Sequence, residues 1–470
     1  MGTINSAFAL IAQVLDAEQS GLNVVANNVA NANTTGYTRE IPNWQQNSSI
    51  EINGVSIGQG VSETGATSVR DRVLEERLNQ QQQLASASGS RLTALDTLQA
   101  VFTPDSGTST GAAGDIGSDI TKFFSSFASL EANPTDNALR QQVLSTATTL
   151  AGDVSNAAQA ANQQRAAVDQ EASGVSSQVN ALTSSIAQLN QQIQSASPTG
   201  DAGTLEDQRQ QDLSQLSQLV GINQITTENN GLTVTTTSGQ LLVSEGTSVQ
   251  MTTGSVGGVT DFFLGATDVT AQLAQGGGEL GGLLTARDTD IPTATAALDQ
   301  LAYSVSTQVN KLNNAGTDQA GDNGNAGDIF SQPAAVAGSA ASMSVAMTDP
   351  NHIAAAGLGK GTGDNSNAVA MANLGNQAIV SGQSPTDYYS SFVTTLGSTV
   401  SNAQTENTAQ SASVSQLQSQ NDALSAVNLN DEASSMTTLE RSYQAASQVF
   451  TMLNTMMAAS LNLGEQATVA

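Results

Sequence analysis

The sequence predicts a mainly α-helical chain with a β-rich insertion. Three observations carry that prediction. Both ends bear one-sided apolar stripes stepping by three and four residues. The same spacing returns along most of the interior. Residues 222–284 abandon it for alternating Val, Thr and Ile between Asn/Gly turns.

The C-terminal stripe runs Met436, Leu439, Tyr443, Ala446, Phe450, Leu453 and Met457, ending near Ser460 or Leu461. The N-terminal stripe answers it with Ile4, Phe8, Ile11, Leu15, Leu22, Val25 and Val29; Glu18 is its only polar interruption. Such coiled-coil-like seams must bury against something. The pattern fits two terminal helices packing on each other, and equally stripes completed by neighbouring subunits.

Composition narrows the function. At 470 residues the chain has room for two to four domains. Charged residues are 11% and aromatics 3%, and small or amide side chains replace them. That suits long helices packed through small residues. A formal charge of −28 argues against nucleic acid and anionic membranes, which need basic patches. No run approaches the ~18 apolar residues of a membrane span, so no membrane insertion is expected. With no cysteine, disulfides, thiol catalysis and Cys-ligated metals are excluded. His352 is the sole histidine, so a Ser-His-Asp triad or a multi-His metal site is not expected; Asp349-Pro350-Asn351-His352 reads as a turn. The N-terminus lacks the positive and continuous apolar regions of a signal peptide. A cytosolic chain, or one exported without a cleaved signal, is expected. Met1-Gly2 with Ser6 matches a myristoylation pattern by letters, but an amphipathic seam begins at once.

The elements follow in order. A first helix over residues 1–30 stops in the Asn/Gly-rich run that ends at Gly36-Tyr37. Ile50, Ile52, Val55 and Ile57 flank Asn53-Gly54, a hairpin signal, with Trp44 as a packing anchor for the connector. A second helix spans Val73 to Phe102, and 103–115 reads as a Gly/Ser/Thr loop. Ile116, Ile120, Phe123, Phe124, Phe127 and Leu130 begin a third, broken at Asn133-Pro134, with Asp136 capping the next. That helix runs from Asn137 past Ala161. The spacing resumes from Val175 to Ile193 and stops at Ser197-Pro198-Thr199-Gly200. Residues 205–221 make a short helix in which Asp207 and Arg209 read as an ion pair fixing a corner. Strands are expected at 232–236, 241–243, 249–252, 259–264 and 269–273. Helical spacing returns from Ile291 to Leu312. The Asp/Asn/Gly-rich 318–328 lacks calcium-loop spacing and reads as a solvated turn. Residues 357–363 lack the Ser/Thr of a phosphate loop. Weak strand signal lies at 343–347. A seam from Tyr389 to Leu424 carries Asn407, Gln410 and Asn421 at its centre, where polar residues cost stability and permit specific pairing.

Several strings carry a resemblance. N-N-V-A-N-A-N-T-T-G-Y-T-R at 27–39 is similar to the N-terminal signature of the bacterial flagellar axial proteins: rod, hook and hook-associated subunits. I-G-Q-G-V at 57–61 followed by Arg70-Asp71-Arg72, and the closing helix with Leu439, Tyr443-Gln444-Ala445 and Phe450, resemble them too. L-E-D-Q-R at 205–209 with L-S-Q-L-V-G at 216–221 resembles the hook-associated subunits of the hook–filament junction. So do G-E-L-G-G-L-L-T-A-R-D at 278–288, Gly363 to Ala368, and the L-D-Q-L-A and V-N-K-L-N strings. Ala426 and Asn430 depart from that group's S-G-V-N-L-D-E-E, Asp431 takes one acidic place and Glu432 keeps the other.

The resemblance covers nearly the whole chain and implies a nested, discontinuous fold. Residues 1–69 and 425–470 would form a terminal coiled-coil domain with its connector hairpin. Residues 70–221 and 285–424 would form a helical bundle with an irregular 315–375 segment, and 222–284 an outer β insertion. It also implies a structural, non-enzymatic subunit without cofactor or metal. Such a subunit is exported through the flagellar secretion channel and polymerises at the tip of the hook. Its implied partners are further copies in a ring or helical layer, the hook protein, a second junction protein, and an export chaperone on the C-terminal helix. The implied assembly contacts are Ile4, Phe8, Ile11, Leu15, Leu22, Val25, Leu439, Tyr443, Phe450, Leu453 and Met457. Asn28, Asn31, Gly36, Tyr37, Asp207, Arg209, Gly281, Arg287 and Asp288 are the motif residues. Another axial protein, a hook or distal rod subunit, is the alternative; the strings around Arg209 and Arg287 discriminate. An enzyme on an axial scaffold would need paired carboxylates in an apolar setting, and no such segment stands out. A free coiled-coil adhesin would not need the Asn-rich N-terminal stop.

Overall fold

The computed structural model describes residues 2–52, 55–102, 115–196, 201–227 and 230–466. The expected turns at Asn53-Gly54, 103–114 and 197–200 lie outside the described residues. Helix α1, Gly2–Asn31, opens the chain. Strands β1 (Glu40–Gln46), β2 (Ile50–Ile52), β3 (Val55–Ile57) and β4 (Val61–Ser68) follow. β2 and β3 pair as the expected hairpin, Ile50 opposite Ile57. β1 and β4 pair antiparallel with an irregularity between Pro42 and Trp44, where proline has no amide to donate.

The body is helical: α2 (Arg72–Phe102), α3 (Ile116–Ala132), α4 (Asn137–Ala196) and α5 (Thr204–Leu219). The Asp115 carboxylate caps α3 by accepting from the Ser118 amide, and Asp136 accepts from the Ala138 amide at the start of α4. α4 differs from expectation: the two seams are one uninterrupted 60-residue helix.

The β-rich stretch holds a four-stranded antiparallel sheet in the order β5 (Ile222–Thr226), β6 (Leu232–Thr236), β7 (Leu241–Ser244), β8 (Thr247–Ser248). A second sheet joins β9 (Met251–Val256), β10 (Val259–Leu264) and β11 (Thr267–Asp268). In β6 the buried positions alternate, Leu232, Val234 and Thr236 facing inward. The expected strand at 269–273 is instead helix α6, Thr270–Gly276. Asp268 turns the chain just before it: its carboxylate accepts from both the Thr270 amide, 2.9 Å, and the Thr270 hydroxyl, 2.8 Å, an Asx turn that competes with a strand. α7 (Gly278–Thr285), a π-helical turn (residues 286–290) and α8 (Ile291–Asn314) return to the body.

The segment 315–365 is irregular. The strand signal at 343–347 yields only an isolated bridge, Phe330 to Val345, and Asp349-Pro350-Asn351-His352 is a capped 3-10 turn. α9 (Ser366–Leu374), α10 (Pro385–Ser425) and α11 (Leu429–Gln466) complete the chain. α10 lies along α2, and its polar central residues pair as their place in the seam allows: Ser88 on α2 donates to the Asn407 amide oxygen, 3.3 Å, and Gln81 bonds Gln410.

One contiguous apolar core runs through helices and sheets. At its centre Phe127 meets Phe123 edge-on and Phe330 packs against Phe123 at a tilt, and Val234, Leu242, Val243 and Phe262 carry it into the β region. Among the described residues, none of its members comes from α1, β1–β4 or α11. Among the described residues no helix is long and apolar enough to cross a membrane.

Candidate assembly interface and its joint

α1 and α11 pack on each other, so within one chain the two seams do meet. Phe8 and Phe450 make an edge-to-face pair, centroids 5.2 Å apart and rings perpendicular. Val25, Leu439 and Ala446 are buried, and Gly21 lies beneath Leu439 and Trp44. Trp44 thus packs on the helix pair while remaining 40% exposed. Ile11, Leu15, Leu22, Leu453 and Met457 are half-buried, and the side chain of Ile4 lies outside the described residues. Tyr443 differs from its seam neighbours, being 38% exposed. Val449, Met452 and Met456, the last two about 60% exposed, follow one another at steps of three and four and share a second apolar face turned outward. A helix pair in one chain covers one face of α11 and leaves this other one in solvent.

The joint between the terminal pair and the body is built around Asn28, 1% exposed at the end of α1. Its amide nitrogen donates to the Glu40 carbonyl, 2.8 Å, and to the Glu432 carboxylate, 3.1 Å. Its amide oxygen accepts from the Tyr37 hydroxyl and the Glu40 amide, both 2.9 Å. One side chain therefore ties α1, β1 and α11, spanning 404 positions of sequence. A carboxamide suits this place because it carries two donors and two acceptor sites. Burial, then the neighbouring Glu40, Asp207 and Glu432 charges, push the Tyr37 phenol well above its ordinary value, so it stays a donor. Asn31 donates to the Asn27 carbonyl, 3.0 Å, closing the helix end. Gly36 takes φ +76°, and a side chain there would overlap Gln211 of α5.

Asp207 and Arg209 do not pair with each other. Two residues apart on a helix they point to different sides. Asp207 faces the connector: its carboxylate binds the Arg70 guanidinium at 2.6 Å and accepts from the Thr38 amide at 3.1 Å. Arg209 faces the body, donating to the Asn190 side chain at 2.9 Å and the Asn230 carbonyl at 2.7 Å. α5 is thus bolted to the joint on one side and to α4 and the β sheet on the other. Arg39 donates its amide to the Ser425 carbonyl, 2.9 Å, where α10 ends. Ala426 there has φ −73°, which any residue adopts, so no glycine is required. Asn428 starts α11, accepting from the Asn430 amide.

A second anchor surrounds Arg287, buried in the π-helical turn. It donates to Asp169 of α4 and to the Thr260 carbonyl of β10, each at 2.6 Å, and binds Asp288 through two bonds of 2.8 Å. Asp169 also accepts from the Thr260 amide and hydroxyl; against its burial, these bonds and Arg287 hold its carboxyl below the ordinary value. Gly281 and Gly282 let α7 lie close: a side-chain carbon at Gly282 would come within 2.2 Å of the Ala87 carbonyl on α2.

Asn28, Tyr37, Asp207 and Arg287 were visible in the sequence as motif letters. Arg70 and Glu432, which complete bonds to two of them, also stood in the quoted strings but with nothing to pair them; Asn190 and Asp169 carried no local signal. Among the described residues one cluster brings three possible metal ligands together, Asp318, Asp322 and His352. His352 Nδ1 lies 2.7 Å from Asp318 Oδ2. Two ligands on one ion at ~2 Å each sit about 3 Å or more apart, so this spacing belongs to a shared proton.

Helices from both halves of the chain build the body, and the two terminal helices pair with each other. Comparison with known proteins finds relatives along the chain. The family model of the flagellar hook-associated protein FlgK helical domain matches residues 105–330, and that of the flagella basal body rod protein matches residues 15–38. Flagellar hook-associated protein 1 of Salmonella typhimurium is 25% identical over an alignment of 549 residues, covering 96% of this chain and 98% of that one. The Escherichia coli and Bacillus subtilis proteins of the same name are 24% and 25% identical, each over 96% of this chain. The solved flagellar hook junction protein FlgK from Burkholderia pseudomallei shares the fold, with a TM-score of 0.65 at 20% identity, over 73% of this chain and 99% of that one. Over nearly its whole length the chain is similar to flagellar hook-associated protein 1.

Proposed function

We propose that this chain is a structural subunit of the bacterial flagellum that forms the junction between hook and filament, polymerising through its terminal helices. The observation that carries the reading is the terminal pair. It is closed by Phe8 and Phe450 on one side and leaves Val449, Met452 and Met456 in solvent on the other. Exposed apolar faces of this kind mark interaction sites. Ile4, Phe8, Ile11, Leu15, Leu22, Val25, Leu439, Tyr443, Phe450, Leu453 and Met457 are the proposed assembly contacts. The proposed division is a terminal domain (1–69 and 425–470), a bundle (70–221 and 285–424) and a β-rich insertion (222–284). Proposed partners are further copies of the chain, the hook protein, a second junction protein, and an export chaperone holding the C-terminal helix. The place of action is extracellular, on the flagellum, after export without a cleaved signal.

The test is a clean deletion, viewed by electron microscopy while the medium is assayed for flagellin. Hooks without filaments, with flagellin lost to the medium, are expected. Normal filaments would sink the junction role, and absence of hooks would move the chain inward to hook or rod. Phe450→Asp places a charge in the apolar seam and should block junction formation while the β region stays folded; junctions formed by that variant would remove the seam from the assembly contacts.

A further inference from the structure

The histidine of the irregular segment is not among the proposed assembly contacts. His352 Nδ1 meets Asp318 Oδ2 at 2.7 Å, and Asp322 Oδ2 lies at 3.6 Å. The Asp318 side chain is fully buried, and its other oxygen accepts from the Asp322 amide at 2.8 Å. Backbone bonds reinforce the contact, from the Gln319 amide to the Asn351 carbonyl at 3.0 Å and between Thr317 and Ala356. From α4, Arg140 reaches the Pro350 and Ile353 carbonyls on the far side of the turn. The charged groups around the imidazole are thus Asp318 and Asp322 of the loop, Asp349 of its own turn and, behind Asp318, Arg140 of α4.

We infer that His352 is a proton-operated clasp: its imidazolium form ties the 316–328 loop to the 350–352 turn through Asp318, and loss of the proton loosens that loop. A fully buried carboxylate needs a charged or hydrogen-bonded partner, and the imidazolium supplies both. The Asp318 hydrogen bond first, and with it the Asp318, Asp349 and Asp322 charges, raise the affinity of His352 for its proton against the opposing effect of burial. With the folded value raised, the stabilisation is complete below the unfolded imidazole value, about 6.5. It is lost as pH rises through the folded value.

The full chain tests this directly, because its one histidine gives one set of imidazole resonances. The imidazole should titrate above ordinary histidine. Amide hydrogen exchange in 316–328 should slow at mildly acid pH relative to His352→Gln, and the two should converge at alkaline pH. Asp318→Asn should bring the imidazole back towards its ordinary value. Should that variant not fold, Asp322→Asn, which spares the buried carboxylate, should produce a smaller shift in the same direction. An imidazole titrating at or below its ordinary value would overturn the clasp, as would equal pH dependence of loop exchange in His352→Gln. Protection that chelator removes and Zn²⁺ alone restores at alkaline pH would also overturn it, assigning the trio to a cation.

Discussion

At the scale of single residues, Asn28 decides how the terminal pair meets the rest of the chain. Removing its side chain leaves the Tyr37 hydroxyl, the Glu40 amide and the Glu432 carboxylate short of a partner in a buried place. Asn28→Ala should therefore cost about 1–3 kcal/mol, read as a lowered melting temperature of the terminal helices. Asn28→Asp should cost more, because it sets a second carboxylate against Glu432. Glu18 is the opposite case. One of its carboxylate oxygens is buried without a hydrogen-bond partner, and burial raises its affinity for a proton. Glu18→Leu should stabilise the pair by about 1 kcal/mol at neutral pH. A raised carboxyl value means the charged form carries the penalty, so the advantage of Glu18→Leu should shrink as pH falls through the folded value. Melting curves at pH 7 and pH 4 measure the difference.

At the scale of elements, the long α4 shows how tertiary contacts extend a local pattern. Its seam is broken between Ala161 and Val175 by polar residues, so the sequence reads as two helices. In the fold those residues have partners: Arg165 donates to the Arg287 carbonyl at 3.0 Å, and Asp169 takes Arg287 and Thr260. Long helices draw most of their stability from such packing. Arg287→Ala would strand Asp169 and the Thr260 carbonyl, and should cost about 3 kcal/mol in chemical denaturation. Because the Asp169 value is depressed, its contribution is present above the ordinary aspartate value and lost as pH falls through the folded one. Amide exchange in β9 and β10 should accelerate there, and Asp169→Asn should remove that acid dependence. The same lesson applies to α6, where an Asx turn at Asp268 competes with the β-branched residues that suggested a strand.

At the scale of the molecule, the core and the terminal pair should unfold separately. Among the described residues the contiguous apolar core spans Leu92 to Ala403 and takes nothing from α1, β1–β4 or α11. A chain trimmed to residues 70–424 should keep a cooperative unfolding transition. The full chain should show an additional, less stable transition belonging to the terminal helices. Calorimetry of both forms checks this; a single transition in the full chain, abolished by trimming, would show that the ends are part of the core. This separability suits a subunit whose ends complete their burial on assembly.

By itself, the sequence determined the helices, their seams, the β-rich interval and the axial motif letters, because helix and strand periodicity and turn chemistry are local. The tertiary structure alone decided the partners. It sent Asp207 to Arg70 and Arg209 to Asn190, joined Asn28 to Glu432 across 404 positions, merged two seams into one helix and turned Tyr443 outward. Buried polar groups must find donors and acceptors wherever the fold brings them, and that requirement leaves no trace at short range along a chain.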